Sequence, residues 1–201
     1  MNTKKVFLLL NGKKPTQLPD LSAYALVCVT DGAYAFLNEK KITPNFICGD
    51  FDSLKYLPDG VPLIHTPDQE LTDFEKALQI LKKKGFTTVD VYGASGGEQD
   101  HFLGNLHTAL IWKDILDITF YDDHGLYYLA QKKAKIENCL GKKISLVPLF
   151  KATGISTHGL QFSLKNETLE FSKRIGTRNK AIANTVEIRF SSGDLFVFIN
   201  D

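Results

Sequence analysis

Aspartates recur at short intervals in the first half of the chain, in surroundings suited to cation and phosphate chemistry. Asp50 and Asp52 stand two apart in Gly49-Asp50-Phe51-Asp52-Ser53. In an extended segment that spacing lets both carboxylates face one way while Phe51 points inward. Carboxylate oxygens are hard donors that suit Mg²⁺, an ion commonly shared with substrate phosphates. Asp31, Asp73 and Asp100 likewise follow runs that read as strands, so four successive strand-to-helix connections carry an aspartate. A solvated turn would explain Asp50 and Asp52 alone, but scattered surface charge has no reason to respect one edge of a sheet. Gathered there, the carboxylates repel one another unless a cation holds them together.

Two neighbouring motifs have their own physical purposes. Thr72 and Glu75 match the box that caps a helix start, and Asp73, which the box does not need, stays available to a metal. The segment 93–101, Gly93-Ala94-Ser95-Gly96-Gly97-Glu98-Gln99-Asp100-His101, follows a strand and opens a helix. Its glycines permit close backbone approach to a phosphate, and a helix start offers amide donors. It is neither a Walker loop nor a dinucleotide fingerprint. His101 and His107 are six apart, not a helical metal pair, and ordinary packing accounts for them.

These residues need a scaffold, and the chain supplies two kinds. Residues 6–10, 25–30, 45–48, 61–65, 88–92 and 117–121 read as strands, several of them almost continuously apolar, as parallel strands buried on both faces are. Between them, Phe74, Ala77, Leu78 and Leu81 share one face of a helix over 73–84 that stops at Gly85, and Leu103, Leu106, Leu110 and Ile111 do the same after Asp100. The pattern predicts an open, mostly parallel α/β sheet with helices on both faces over 1–124, a nucleotide- and Mg²⁺-binding catalytic domain whose ligands sit at the carboxyl edge. From 125 to 201 the chain reads instead as an antiparallel β-sandwich, with strands at 126–130, 144–149, 160–164, 185–190 and 195–199. Ser191-Ser192-Gly193-Asp194 predicts a hairpin turn between the last two.

Composition narrows the function. Lys and Arg total 24 against 23 Asp and Glu, a balance that argues against nucleic acid as the main partner. The three cysteines are far apart and without CxxC spacing, a reduced, cytoplasmic pattern. The apolar run after Lys4 and Lys5 is too short for a signal peptide, and Asn11-Gly12-Lys13-Lys14 occupies the place of a cleavage site. No stretch is long enough to span a membrane as a helix.

Taken in order, Asp31-Gly32-Ala33, Gly49-Asp50-Phe51-Asp52-Ser53, Thr72-Asp73 and the 93–101 loop resemble the thiamine pyrophosphokinase (thiamine diphosphokinase) family. The likeness continues through Gly159-Leu160-Gln161-Phe162-Ser163-Leu164 and Gly176-Thr177-Arg178-Asn179, so it spans nearly the whole chain. It implies transfer of pyrophosphate from ATP to thiamine, giving thiamine diphosphate and AMP, with Mg²⁺ as cofactor. It further implies a homodimer in which thiamine lies between the α/β domain of one subunit and the sandwich of the other. By motif match, Asp50, Asp52 and Asp73 are expected to ligate the metal. Asp52, Asp73 and Asp100 are the expected catalytic residues, with Asp100 orienting or deprotonating the thiamine hydroxyl. Asp31, Gly32, Gly96, Gly97, Gln99 and Asp100 are expected at the nucleotide. Phe162, Thr177, Arg178 and Asn179 are expected at thiamine, with the sandwich as the thiamine-binding domain.

Two positions depart from the family pattern. Glu98 stands where the family usually has arginine, and Phe162 stands where it has an aromatic that is typically tryptophan. All three arginines, Arg174, Arg178 and Arg189, lie in the second half. Phosphate charge must then be met by lysine, metal or backbone amides, or by Arg178 with Lys180 reaching in from the sandwich. The same acidic motifs would also serve a Mg²⁺-dependent nucleotide pyrophosphohydrolase, and Glu98 leaves room for a non-catalytic thiamine or nucleotide binder.

Overall fold

The computed structural model describes residues 5–54, 56 and 58–201. The chain divides after Asp123 into two compact units.

In the first unit the strands are β1 (Lys5–Leu9), β2 (Leu26–Thr30), β3 (Phe46–Gly49), β4 (Leu63–His65), β5 (Thr88–Tyr92) and β6 (Asp117–Asp122), with helices α1 (Tyr34–Glu39), α2 (Asp73–Lys83) and α3 (Gln99–Trp112). Every pairing is parallel, in the order β4-β3-β2-β1-β5-β6. Alternate residues bury opposite faces. Phe7, Leu9, Val29, Ile47 and Tyr92 pack under Tyr34 and Leu37 of α1. On the other face Phe74 of α2 meets Phe120 of β6 edge-on, with ring centroids 5.8 Å apart. Helices therefore cover both faces, which is why these strands read as unbroken apolar runs.

The topology reverses once. β1 to β4 step outward in one direction, and the chain then returns through α2 to place β5 and β6 on the far side of β1. The carboxyl ends of β1 and β5 thus flank the switch point, where open α/β sheets bind ligands.

Helix α2 has both of its ends specified locally. The Thr72 hydroxyl accepts from the Glu75 amide at 3.2 Å. At the other end, Gly85 (φ 79°) lets its own amide donate to Lys82 O at 2.9 Å and the Phe86 amide to Leu81 O at 3.1 Å, closing the helix. Acidic residues in the first turn and Lys82 and Lys83 in the last complement the helix dipole.

The second unit is wholly antiparallel: β7 (Gly125–Leu129), β8 (Lys133–Glu137), β9 (Lys143–His158), β10 (Glu167–Glu170), β11 (Gly176–Lys180), β12 (Thr185–Arg189) and β13 (Ser192–Asn200). The sixteen-residue β9 carries both layers: its first part pairs β13 and β11, its middle pairs β10, and its end pairs β12. Left-handed backbone at Phe150 and Gly154 turns it between the two. The core between the layers includes Ile144, Leu146, Ile155, Leu160, Val186, Ile188, Leu195 and Val197.

Two expectations change here. β12 and β13 form no hairpin, because β9 lies between them and pairs with both. Residues 160–164 form a loop rather than a strand: only Leu160 bridges, to Ala181, and the Ser163 hydroxyl turns back to Leu160 O at 3.1 Å. The segment is tied at its two ends to different neighbours, the Gln161 amide donating to Lys180 O at 2.8 Å and Leu164 O accepting from the Thr157 amide of β9 at 3.0 Å, so no continuous ladder forms along it.

A tether at the end of β6 holds the loop after β1. Asp123 accepts from the Thr16 amide at 2.8 Å and pairs with Lys13 at 2.9 Å. The Thr16 amide above all, and then Lys13, hold the carboxyl down to about 2, against an ordinary 3.8. A depressed folded pKa contributes stability above the ordinary value that is lost as pH falls toward the folded one. Asp123→Asn is therefore expected to lower stability at pH 5, with the gap from the parent closing between about pH 4 and pH 2 in urea titrations.

Candidate active site

Two loops meet at the switch point and lock backbone to backbone. The Leu10 and Gly12 amides donate to the Tyr92 and Gly93 carbonyls at 2.8 and 2.7 Å, and the Lys13 amide to Ser95 O at 2.8 Å. A Cβ on Gly12 would lie 2.7 Å from Ser95 O, so only glycine allows this approach. Lys14 braces the first loop, donating to Leu10 O, Asn11 Oδ1 and Gly12 O at 3.0–3.2 Å. Burial pushes its ammonium down to about 8.

Beside these loops opens a cavity of about 480 Å³. Asn11 and Gly12 wall it from β1, Asp31 and Gly32 from β2, Asp50 and Ser53 from β3, and Asp73 and Lys76 from α2. Gly97, Glu98, Asp100, His101, Gly104 and Asn105 close it from α3 and the loop before it.

The carboxylates of Asp31, Asp50 and Asp52 converge here, with one oxygen from each lying within 4.8 Å of the others. Asp31 is the buried member, 4% exposed. Its oxygens accept from the Gly32 amide at 2.7 Å and the Phe51 amide at 2.9 Å. Burial still raises its pKa against those two bonds, helped by the charges of Asp73 and Asp50. The Asp50 carboxyl is instead held low, first by Gln69, whose amide donates at 3.0 Å, and then by the Asp52 amide. Asp52 is the most exposed of the three and accepts from the Ser53 hydroxyl at 3.0 Å.

The loop reaches this geometry by a bend and not as the extended segment expected. Phe51 takes a left-handed φ of 70°, and the Asp52 amide turns back to Asp50 Oδ1 at 3.2 Å. Phe51 still points inward, against His65 at 5.4 Å between ring centroids. The bend follows from Asp31, which draws in the Phe51 amide.

Asp73 faces the same cavity but stands outside the trio. It pairs with Lys76 at 3.0 Å, whose ammonium also donates to Thr66 O at 3.1 Å. Lys76, only 6% exposed, is a buried cation at the wall that the sequence reading missed. Its signal is spacing: three residues after Asp73, it falls on the same helical face. Asn11 and Gly12 likewise stand outside the expected site residues, although a glycine two residues past the first apolar run marks such a loop. The grouping therefore differs from the expected metal set of Asp50, Asp52 and Asp73, placing Asp31 with Asp50 and Asp52.

Of the remaining candidates, Gly32, Gly97 and Asp100 line the cavity. Gly96 packs on the Lys13 side chain, and Gln99 donates to Gly97 O at 3.4 Å, both outside the lining. Glu98 points to His101, 3.6 Å away on an exposed turn.

In the second unit Phe162 is 70% exposed. Asn179 grips its backbone from both sides, accepting from the Phe162 amide at 3.1 Å and donating to the Phe162 carbonyl at 2.7 Å. Arg178 occupies a bulge with φ 55°, its amide donating to the Ser145 hydroxyl at 2.9 Å. The Arg178 and Thr177 side chains are exposed.

Fold and site define a two-unit protein whose α/β unit gathers carboxylates and a buried lysine around a cavity at the switch point of its sheet. Residues 20–120 match the model of the thiamin pyrophosphokinase catalytic domain, and residues 131–195 that of the thiamin pyrophosphokinase vitamin B1 binding domain. The chain belongs to the thiamin pyrophosphokinase family. It is 29% identical to Thiamin pyrophosphokinase 1 of Caenorhabditis elegans over 184 residues, covering 83% of this chain and 76% of that one. It is 24% identical to Thiamine pyrophosphokinase of Bacillus subtilis, covering 96% and 97%. The solved structure of the Bacillus subtilis thiamine pyrophosphokinase matches with a TM-score of 0.85 at 22% identity, over 98% of this chain and 99% of that one, a likeness of fold.

Gly49 tests the bend. A Cβ there would lie 2.6 Å from Asp31 Oδ2. Gly49→Ala is expected to cost about 1–3 kcal/mol in urea unfolding, whereas the same change at Gly60, which meets no atom within 4 Å and strains only its own left-handed backbone, costs less.

Proposed function

We infer that this chain is a thiamine diphosphokinase, transferring pyrophosphate from ATP to thiamine to give thiamine diphosphate and AMP. The observation that carries the reading is the convergence of Asp31, Asp50 and Asp52 at the cavity, in a chain whose two halves match the family's catalytic and vitamin-binding domains.

The donor set fits Mg²⁺: three carboxylates, all oxygen, one of them buried among like charges that a cation would relieve. Asp50 and Asp52 would hold the ion with Asp31, and Asp73 would face it from its ion pair with Lys76. Bound there, the ion would neutralise the polyphosphate and shield its β-phosphorus from repulsion.

The chain's own residues supply the rest. Lys76 offers the positive charge that Glu98 withholds, and being buried it acts at low screening. Asp31, Gly32 and Gly97 frame the nucleotide from the cavity lining, and Gly96 and Gln99 serve it as the neighbours in the chain that set the loop before α3. Asp100, exposed at the cavity, orients the thiamine hydroxyl and takes its proton as the oxygen bonds to the β-phosphorus. The bond from that phosphorus to the bridging oxygen breaks, and AMP leaves with the electron pair. Such transfers depend on positioning and charge stabilisation more than on covalent chemistry by the protein.

On the vitamin side, Phe162 offers a ring face to the thiamine cation, and Thr177 and Arg178 stand exposed on β11, the strand whose Asn179 holds Phe162. Asn179 acts as a positioning residue, its amide committed to the Phe162 backbone. A homodimer suits the exposed Phe150 and Phe171 on the second unit. Cytoplasmic residence suits the three free, buried thiols. Among the described residues no helix is long and apolar enough to cross a membrane.

Mass detection of thiamine diphosphate and AMP from thiamine, ATP and Mg²⁺ tests the reading. Asp52→Asn and Lys76→Met are each expected to cut product formation by about 100-fold or more. Abundant AMP without thiamine would mark a hydrolase instead. Phe162→Ala and Asn179→Ala are each expected to raise the KM for thiamine, and the double variant to resemble Phe162→Ala alone. Additive effects would assign Asn179 a contact of its own.

A further inference from the structure

Gly104 is the sixth residue of the fourteen in α3, well inside the helix. Glycine there is less favourable than alanine, because its backbone loses more freedom on entering the helix. Backbone geometry does not require it, since Gly104 is helical with no positive φ. Packing does not require it either. A Cβ built on Gly104 finds no atom within 4 Å, whereas one on Gly49 or Gly12 would meet its neighbours below 3 Å.

What remains is the cavity. Gly104 lines it with Asp100 four residues earlier and with His101, on one face of the helix. Asn105 beside it is turned to the wall, donating to Ala94 O at 2.8 Å. Leu103 is 64% exposed and outside the lining. At this point α3 offers the cavity bare backbone, a flat surface that any side chain would cover.

We propose that Gly104 is a specificity-determining residue: its missing side chain gives the nucleoside part of the donor its place against α3. The proposal rests on the reading of this cavity as the nucleotide site. Charged phosphates and their cation belong with Asp31, Asp50 and Asp52. The part still to be accommodated is a ring and a sugar, which gain from a smooth wall and lose from a protruding one.

The test compares Gly104→Ala, Gly104→Leu and a control, Leu103→Ala, by calorimetric titration with α,β-methylene ATP and Mg²⁺, alongside thermal unfolding. Both Gly104 variants are expected to raise the unfolding midpoint, because each is a better helix former in open space. The analogue is expected to bind more weakly in Gly104→Ala and at least about tenfold more weakly in Gly104→Leu, with Leu103→Ala unchanged. Unchanged affinity in a folded Gly104→Leu would overturn the proposal, and should that variant not fold, unchanged affinity in Gly104→Ala would do so. If the parent chain binds the analogue with this size dependence yet makes no thiamine diphosphate, the kinase reading fails and the role of Gly104 stands. If the parent makes thiamine diphosphate while affinity ignores residue 104, only the role of Gly104 fails. No binding by the parent chain would sink both.

Discussion

The buried carboxylate of Asp31 governs the geometry around it. A carboxylate removed from water is stable only where hydrogen bonds replace its hydration, and Asp31 obtains them from the Gly32 and Phe51 amides. Recruiting the second amide bends the loop after β3, forces Phe51 into a left-handed conformation and leaves no room for a side chain at Gly49. Asp50 and Asp52 are carried to their places by that bend. The result is a cluster of like charge whose buried member is already pushed toward its neutral form. A divalent cation, as proposed for this site, would relieve that tension, and the proposed chemistry follows from it.

The topology of the first unit sets the second constraint. Because strand order reverses between β1 and β5, their two loops lie side by side with a crevice at their ends, and glycine at Gly12 lets them interlock. The same return crossing brings α2 over the sheet and delivers Lys76 to the wall beneath the acids. The chain has no arginine in this unit, and Glu98 is drawn toward His101. A lysine held by Asp73 and Thr66 O places its charge without the reach of a longer side chain. The trade is adaptability for fixed position, which suits a reaction that depends on alignment.

The second unit solves a different problem, presenting an exposed aromatic ring in a defined place. Residues 160–164 leave the sheet, and Asn179 on β11 pins the loop by its backbone at Phe162. This arrangement keeps the ring available while its position is fixed by the sandwich core. It also explains an asparagine at Asn179, since only a side chain with both a donor and an acceptor closes such a pair of bonds.

Local pattern was enough to determine a good deal. The apolar runs located the six parallel strands to within two residues, and Thr72 and Gly85 bounded α2, because these signals depend on neighbours a few residues apart. Aspartates at successive strand ends likewise pointed to the carboxyl edge. Tertiary structure alone decided which carboxylates meet. Asp31 joins Asp50 and Asp52 through an amide twenty residues away, while Asp73 is claimed by Lys76. It also decided that β9 separates β12 from β13, removing a hairpin that turn residues favoured, and that 160–164 is a loop. The division has one physical cause. Periodicity and capping are written in short stretches of chain, whereas strand order and the convergence of side chains depend on which distant backbones are free to pair.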